Sequence, residues 1–189
     1  MQELDLKLFI WINATSDTAL WMIDWGRFFT WWPQLFVFGG LLTLLIRRRH
    51  YGLEWFYRMS AAVLLAICFN HVVSWIHPAA LPVSMDIGQL WMKGASFASW
   101  MGDYPVFLPT IFFACFMWNK GYLFTGWVAL LTLANIWGLV LIGWYFPLQI
   151  MAGIMVGVGA IGTVTVSQWI WSKMGRYTFI PQERIEPVT

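Results

Sequence analysis

Residues 147–171, PLQIMAGIMVGVGAIGTVTVSQWIW, run without a single charged side chain. A helix rises about 1.5 Å per residue, so this run is longer than the roughly 30 Å hydrocarbon core of a bilayer. It reads as a membrane-spanning helix. Working outward from it, apolar runs of spanning character lie near Phe28 to Ile46, Tyr57 to Ile76, Tyr104 to Trp118 and Tyr122 to Ile142. Five spans are therefore expected. The third is short and carries Pro105 and Pro109, tolerable where a first helical turn has spare N–H groups and neighbouring helices satisfy the rest. Ahead of the first span, Leu4, Leu8, Phe9, Trp11 and Ile12 alternate with Glu3, Asp5, Lys7 and Asn13. That pattern predicts an amphipathic helix lying along the interface, with a poorly formed sixth span as the alternative. The expected fold class is all-α: an integral membrane helical bundle of about five transmembrane helices plus an N-terminal interfacial amphipathic helix.

Composition agrees with this. A 189-residue chain that is 60% hydrophobic and 11% charged would expose large apolar surface as a soluble domain. The 15 Trp and 6 Tyr suit rings that sit at the membrane–water boundary or pack between helices. A net charge of +2 with no concentrated basic face excludes nucleic acid as a partner. Cys68 and Cys115 lie inside apolar runs and read as small buried hydrophobes rather than a disulfide or metal pair. The opening MQELDLKLF lacks a basic segment followed by a short apolar stretch and a cleavage site, so no removable signal peptide is expected.

Lys and Arg set the expected orientation, because they are retained on the cytoplasmic side. Arg47, Arg48, Arg49, Arg58, Lys120, Lys173, Arg176 and Arg184 fall on one side of the spans, against Lys7, Arg27 and Lys93 on the other. The N-terminus is thus expected outside and the C-terminus inside. The connection from Pro78 to Asp103 and the turn from Gly143 to Pro147 then face outward together and should meet at the outer leaflet. Residues 1–174 form one membrane domain, and 175–189, polar and interrupted by Pro181 and Pro187, a mobile cytoplasmic tail. In the last span Gly153 and Gly157 stand one turn apart, a spacing that lets another helix approach closely, within the bundle or between copies.

Two stretches carry a family resemblance: LDLKLFIWINATSDTALWMIDWGRFFTWW near the N-terminus and GWYFPLQIMAGIMVGV at 143–158. Their order and character resemble the type 2 phosphatidic acid phosphatase superfamily, and most closely its small bacterial branch of undecaprenyl pyrophosphate phosphatases. The resemblance covers about 170 residues, one membrane domain. It implies a bacterial cytoplasmic (inner) membrane location. It also implies a site with a His nucleophile, a second His as acid, an Asp orienting the nucleophile, and Lys and Arg holding phosphate charge, the roles that phosphoryl transfer requires.

Placed on this chain, the first motif, K-x6-R-P, lands on Asn70, His77 and Pro78, leaving only the Pro. The second, P-S-(G or D)-H, lands on Met101, Gly102, Asp103 and Tyr104, or puts Met101 at the His position if Ser96 to Ser99 is the anchor. The third, S-R-x5-H-x3-D, fits Gly138, Leu139, Tyr145 and Gln149 with its spacing intact. A phenol, with an ordinary pKa of about 10, is a poor stand-in for a nucleophilic imidazole, and Leu139 cannot hold a phosphate. His71, Lys93 and Trp144 remain as possible headgroup contacts. His71 and His77 do not share a helical face, so no metal site is expected from them, and no phosphate loop or HExxH pattern occurs. No cofactor is expected.

Losses spread over three distant segments lead to the expectation of a non-enzyme. The chain would be a catalytically inactive, phosphatase-like accessory or regulatory subunit of a membrane or envelope complex, with membrane lipids and another membrane protein as partners. The alternatives are a non-hydrolytic binder of a phosphorylated polyprenyl or glycerolipid, and a lipid phosphatase with altered chemistry using Tyr145, His71 or His77.

Overall fold

The computed structural model describes residues 2–47, 51–76, 81–85, 87–91, 104–118 and 121–177. The described residues form six α-helices and one 3-10 turn, with no strand among them. The helices are α1 (Gln2–Ile12), α2 (Leu20–Arg47), α3 (Tyr51–Ile76), α4 (Tyr104–Trp118), α5 (Tyr122–Leu141) and α6 (Pro147–Tyr177), and the turn spans Pro82–Met85. A helical membrane bundle is what this sequence builds, because in lipid every backbone polar group must be bonded within its own segment or to a neighbour.

Among the described residues, four helices are long and apolar enough to cross a membrane: Leu20–Ile46, Trp55–Ile76, Tyr122–Leu141 and Pro147–Lys173. This corrects one expectation. The first span starts near Leu20 and not Phe28, because Asp24 and Arg27, one turn apart, pair at 3.2 Å and leave the helix unbroken. The expected third span, α4, is a shorter apolar helix of 15 residues, about 22 Å. It is also the centre of the bundle, touching α3, α5 and α6. Val106, Leu108, Ile111, Ala114 and Cys115 on it are all buried, which is why it is apolar on every face. Around it, Val37 and Leu41 of α2, Met59 and Ala62 of α3, Val128 of α5 and Ile161 of α6 complete the main core.

Pairwise packing relies on small residues. A Cβ at Gly138 of α5 would stand 2.7 Å from the Gly26 carbonyl oxygen of α2, and one at Gly153 of α6 would stand 2.9 Å from the Pro105 carbonyl oxygen of α4. Gly157 abuts Thr110 in the same way. Gly153 and Gly157 therefore face a helix of their own bundle. Hydroxyls within the helices turn back on their own chain: Thr30 donates to Gly26 O at 2.8 Å, Thr110 to Val106 O at 2.6 Å and Thr132 to Val128 O at 2.8 Å.

Helix α1, 11 residues and about 16 Å long, is too short for a sixth span. It buries Phe9 against Leu139, Tyr145 and Phe146 while Leu4, Ile10 and Trp11 stay exposed. Exposed rings include Trp21, Trp25 and Trp75 toward one end of the long helices and Tyr57, Trp169 and Trp171 toward the other, the positions of an interfacial aromatic belt, with Trp31, Trp32, Phe36 and Phe38 along the middle of α2. Lys173 lies over the Trp169 ring at 4.1 Å. Cys115 is buried, but Cys68 is exposed on the outer face of α3, so the expectation of two buried cysteines holds for one of them. Helix α6 reaches Tyr177, three residues into the segment read as a tail, and 178–189 lie outside the described residues.

Candidate functional site

The direction of the chain brings the start of α2, the end of α3, residues 81–85 and 87–91, the start of α4 and the α5–α6 turn to one end of the bundle, with α1 docked there as well. That turn is built by a helix stop and a helix start in immediate succession. At the stop, Gly143 takes φ 83°, Gly143 N donates to Val140 O at 3.1 Å and Trp144 N to Leu139 O at 3.0 Å. Glycine is required there twice over. Its φ is left-handed, and a Cβ would collide with the Gln89 carbonyl oxygen. At the start, Pro147 occupies the first helical position, where a missing N–H is harmless. Gln149 Oε1 reaches back to accept from Phe146 N at 3.0 Å, and Asp5 Oδ1 of α1 accepts from Leu148 N at 3.0 Å. Two of the free N–H groups of α6 are thereby satisfied, by a glutamine of its first turn and by a carboxylate suited to a helix N-terminus.

Segment 87–91 lies directly on this turn. Trp91 N donates to Ile142 O at 3.2 Å, and Asn13 bridges Gln89 to Leu141 O. The two connections expected to converge do meet. Arg27 closes the arrangement from α2, its Nε and Nη2 donating to Trp91 O at 2.9 and 2.6 Å.

The four positions matched to the third motif are all brought to this end, each with a packing or capping task. Gly138 carries the close approach to α2. Leu139 is fully buried in an apolar cluster with Phe9, Tyr145, Phe146 and Ile150, so no cation could replace it without entering that cluster. Tyr145 is 7% exposed in the same cluster, and Gln149 caps α6. Trp144 is half-buried and meets Trp31 of α2 edge to face at 6.1 Å. Of the first motif, Asn70 is half-buried in the last two turns of α3 beside the exposed His71. His77, Pro78, Lys93, Met101, Gly102 and Asp103 lie outside the described residues, and of Tyr104 only the backbone, opening α4, is described. Among the described residues, no cluster of three metal-ligating side chains occurs.

Asn13, Gln89, Trp91 and Arg27 were not among the sequence-derived site residues. Gly88 and Gly143, both with positive φ, were the available signal, since each marks a place where backbone comes close to another segment.

No family model matches the chain, and no solved structure matches it. Over 180 residues it is 28% identical to an Escherichia coli (strain K12) protein named "Putative undecaprenyl-diphosphatase YbjG", a match covering 93% of this chain and 86% of that protein. The likeness supports the phosphatase superfamily and overturns the expectation of a non-enzyme, because the relative is named for hydrolysis. The physical reason for the error is that motif spacing shows which residues stand at the expected positions, not which other groups perform the reaction. Fold and likeness together support a phosphatase-like, multi-pass membrane protein.

Proposed function

We propose that this chain hydrolyses a phosphorylated polyprenyl lipid, a polyprenyl diphosphate first of all, at the bundle end that carries the α5–α6 turn. The observation behind this reading is the 28% identity over nearly the whole of both chains to a protein named for undecaprenyl diphosphate hydrolysis. The chemistry calls for a nucleophile or activated water, a proton donor to the leaving oxygen, and positive charge around phosphorus. The groups for these tasks are the Tyr145 hydroxyl, the His71 or His77 imidazole and the Lys93 ammonium, with Asn70 and Trp144 against the headgroup. The chain sits in the bacterial cytoplasmic membrane with its N-terminus outside and its C-terminus in the cytoplasm. The excess of Arg and Lys at the α2–α3 connection and after α6 supports that orientation.

The test is phosphate release from undecaprenyl diphosphate by the purified chain in liposomes. Release by the wild-type protein and its loss in Tyr145→Phe support the reading; no release from the wild-type chain sinks it. Orientation is read separately, by labelling Trp11→Cys and Lys173→Cys with an impermeant thiol reagent in a cysteine-free background. The proposed arrangement requires Trp11→Cys to react from outside and Lys173→Cys only after permeabilisation. Mass spectrometry of the protein taken from its own membrane in mild detergent identifies any retained phosphorylated lipid or membrane-protein partner.

A further inference from the structure

One buried side chain ties together three segments far apart in the chain. Asn13, 6% exposed at the end of α1, donates from Nδ2 to Gln89 O at 3.2 Å and to Leu141 O at 3.1 Å. Its Oδ1 accepts from Gln89 N at 2.8 Å. The next residue repeats the link, Ala14 N donating to Leu141 O at 2.9 Å and Ala14 O accepting from Trp91 Nε1 at 2.8 Å. Leu141 and Ile142 are at the C-terminus of α5, where carbonyls have no partner within the helix. Here they are bonded by Asn13 and Ala14, just past α1, and by Trp91 N. The fit is close: a Cβ at Gly143 would lie 3.0 Å from Asn13 Nδ2, and one at Gly88 would lie 2.5 Å from Asn13 Oδ1.

We infer that Asn13 is the positioning residue of the candidate site, holding α1, the 87–91 segment and the turn that carries Trp144 and Tyr145 as one rigid unit. This rests on the reading of that turn as the site. The α2–α5 contact extends to Leu141, which stands against Gly26, but the main core of Val37, Met59, Leu108, Val128 and Ile161 does not include Asn13. Its loss therefore loosens this end and leaves the bundle folded. Hydrogen bonds of a buried amide to backbone are worth most where no water can replace them, and catalysis is sensitive to small misplacements of reacting groups.

The test uses the full-length chain in lipid nanodiscs, as wild type, Asn13→Ala, Asn13→Asp and Trp11→Ala. Asn13→Asp keeps the acceptor for Gln89 N but sets a second oxygen against two carbonyls. Trp11 is 83% exposed and serves as the neighbouring control. In both Asn13 variants amide exchange at 87–91 and 141–146 is expected to rise together by about tenfold or more, with 128–138 of α5 unchanged and Trp11→Ala like wild type. Phosphate release from undecaprenyl diphosphate should lose about tenfold in kcat with KM within about twofold, the pattern of misplaced groups rather than weakened binding. Exchange that does not change, or that rises evenly through the bundle, overturns the proposal, as does an unaltered kcat in a protein whose turn has loosened. If the wild-type chain releases no phosphate, the hydrolytic reading fails, and the exchange data alone decide whether Asn13 holds the turn.

Discussion

Asn135 of α5 and Pro33 of α2 are matched across the helix interface. Pro33 has no amide hydrogen and so leaves the Phe29 carbonyl, one turn earlier, without its helical donor. Asn135, 1% exposed, donates Nδ2 to Phe29 O at 2.9 Å and to Thr30 O at 3.1 Å. A proline break and a buried amide, each unfavourable alone in a membrane helix, thereby answer one another. Asn135→Ala is expected to destabilise the bundle by about 1–3 kcal/mol. In a Pro33→Ala background, where residue 33 regains its N–H, the same change should cost about 1 kcal/mol less. A double-mutant cycle by reversible unfolding in detergent measures the difference, and strict additivity would disprove the coupling.

Gly138→Ala places a Cβ against the Gly26 backbone, which cannot rotate away, so α2 and α5 must separate. A loss of about 1–3 kcal/mol is expected. Gly126→Ala in the same helix meets nothing within 4 Å and should be neutral or slightly stabilising, since alanine favours helix by about 1 kcal/mol over glycine. Thermal unfolding of the two variants in parallel separates these outcomes.

On α6 the same contrast distinguishes packing inside the bundle from self-association. Gly153→Ala meets the Pro105 backbone and should lower the unfolding temperature independently of protein concentration, whereas Gly159→Ala, with open space around it, should not. A concentration-dependent effect of Gly153→Ala would point instead to a seam between copies.

Gln149 acts through its carbonyl oxygen on Phe146 N, so Gln149→Ala should cost about 0.5–2 kcal/mol. Gln149→Glu keeps the acceptor and adds negative charge at a helix N-terminus, and should retain the stability that alanine loses. Chemical denaturation of the three proteins checks the order.

The helices were legible wherever a run of apolar residues is both necessary and sufficient for a span, as from Tyr57 to Ile76 and from Pro147 to Trp171. Legibility failed where a local cue had a tertiary answer. Asp24 and Arg27 look like the end of a span until they are seen paired, and nothing in Tyr104–Trp118 shows that it is the helix at the core of the bundle until its neighbours are seen. At the site, motif spacing located Gly138, Leu139, Tyr145 and Gln149 but not their tasks. It missed Asn13 because the partners Gln89 and Leu141 lie 76 and 128 residues away.

The sequence by itself determined a membrane bundle, since an uncharged run longer than the bilayer core leaves a helix in lipid as the only structure that bonds its own backbone. Its turn residues, Gly143 and Pro147, also marked where α5 stops and α6 begins. Only the tertiary structure decided which helix lies at the centre, which carbonyl needs Asn135 and which segments Asn13 unites. Periodicity and composition are local properties of the chain. A buried hydrogen bond depends on two groups meeting, and nothing local to either one specifies its partner.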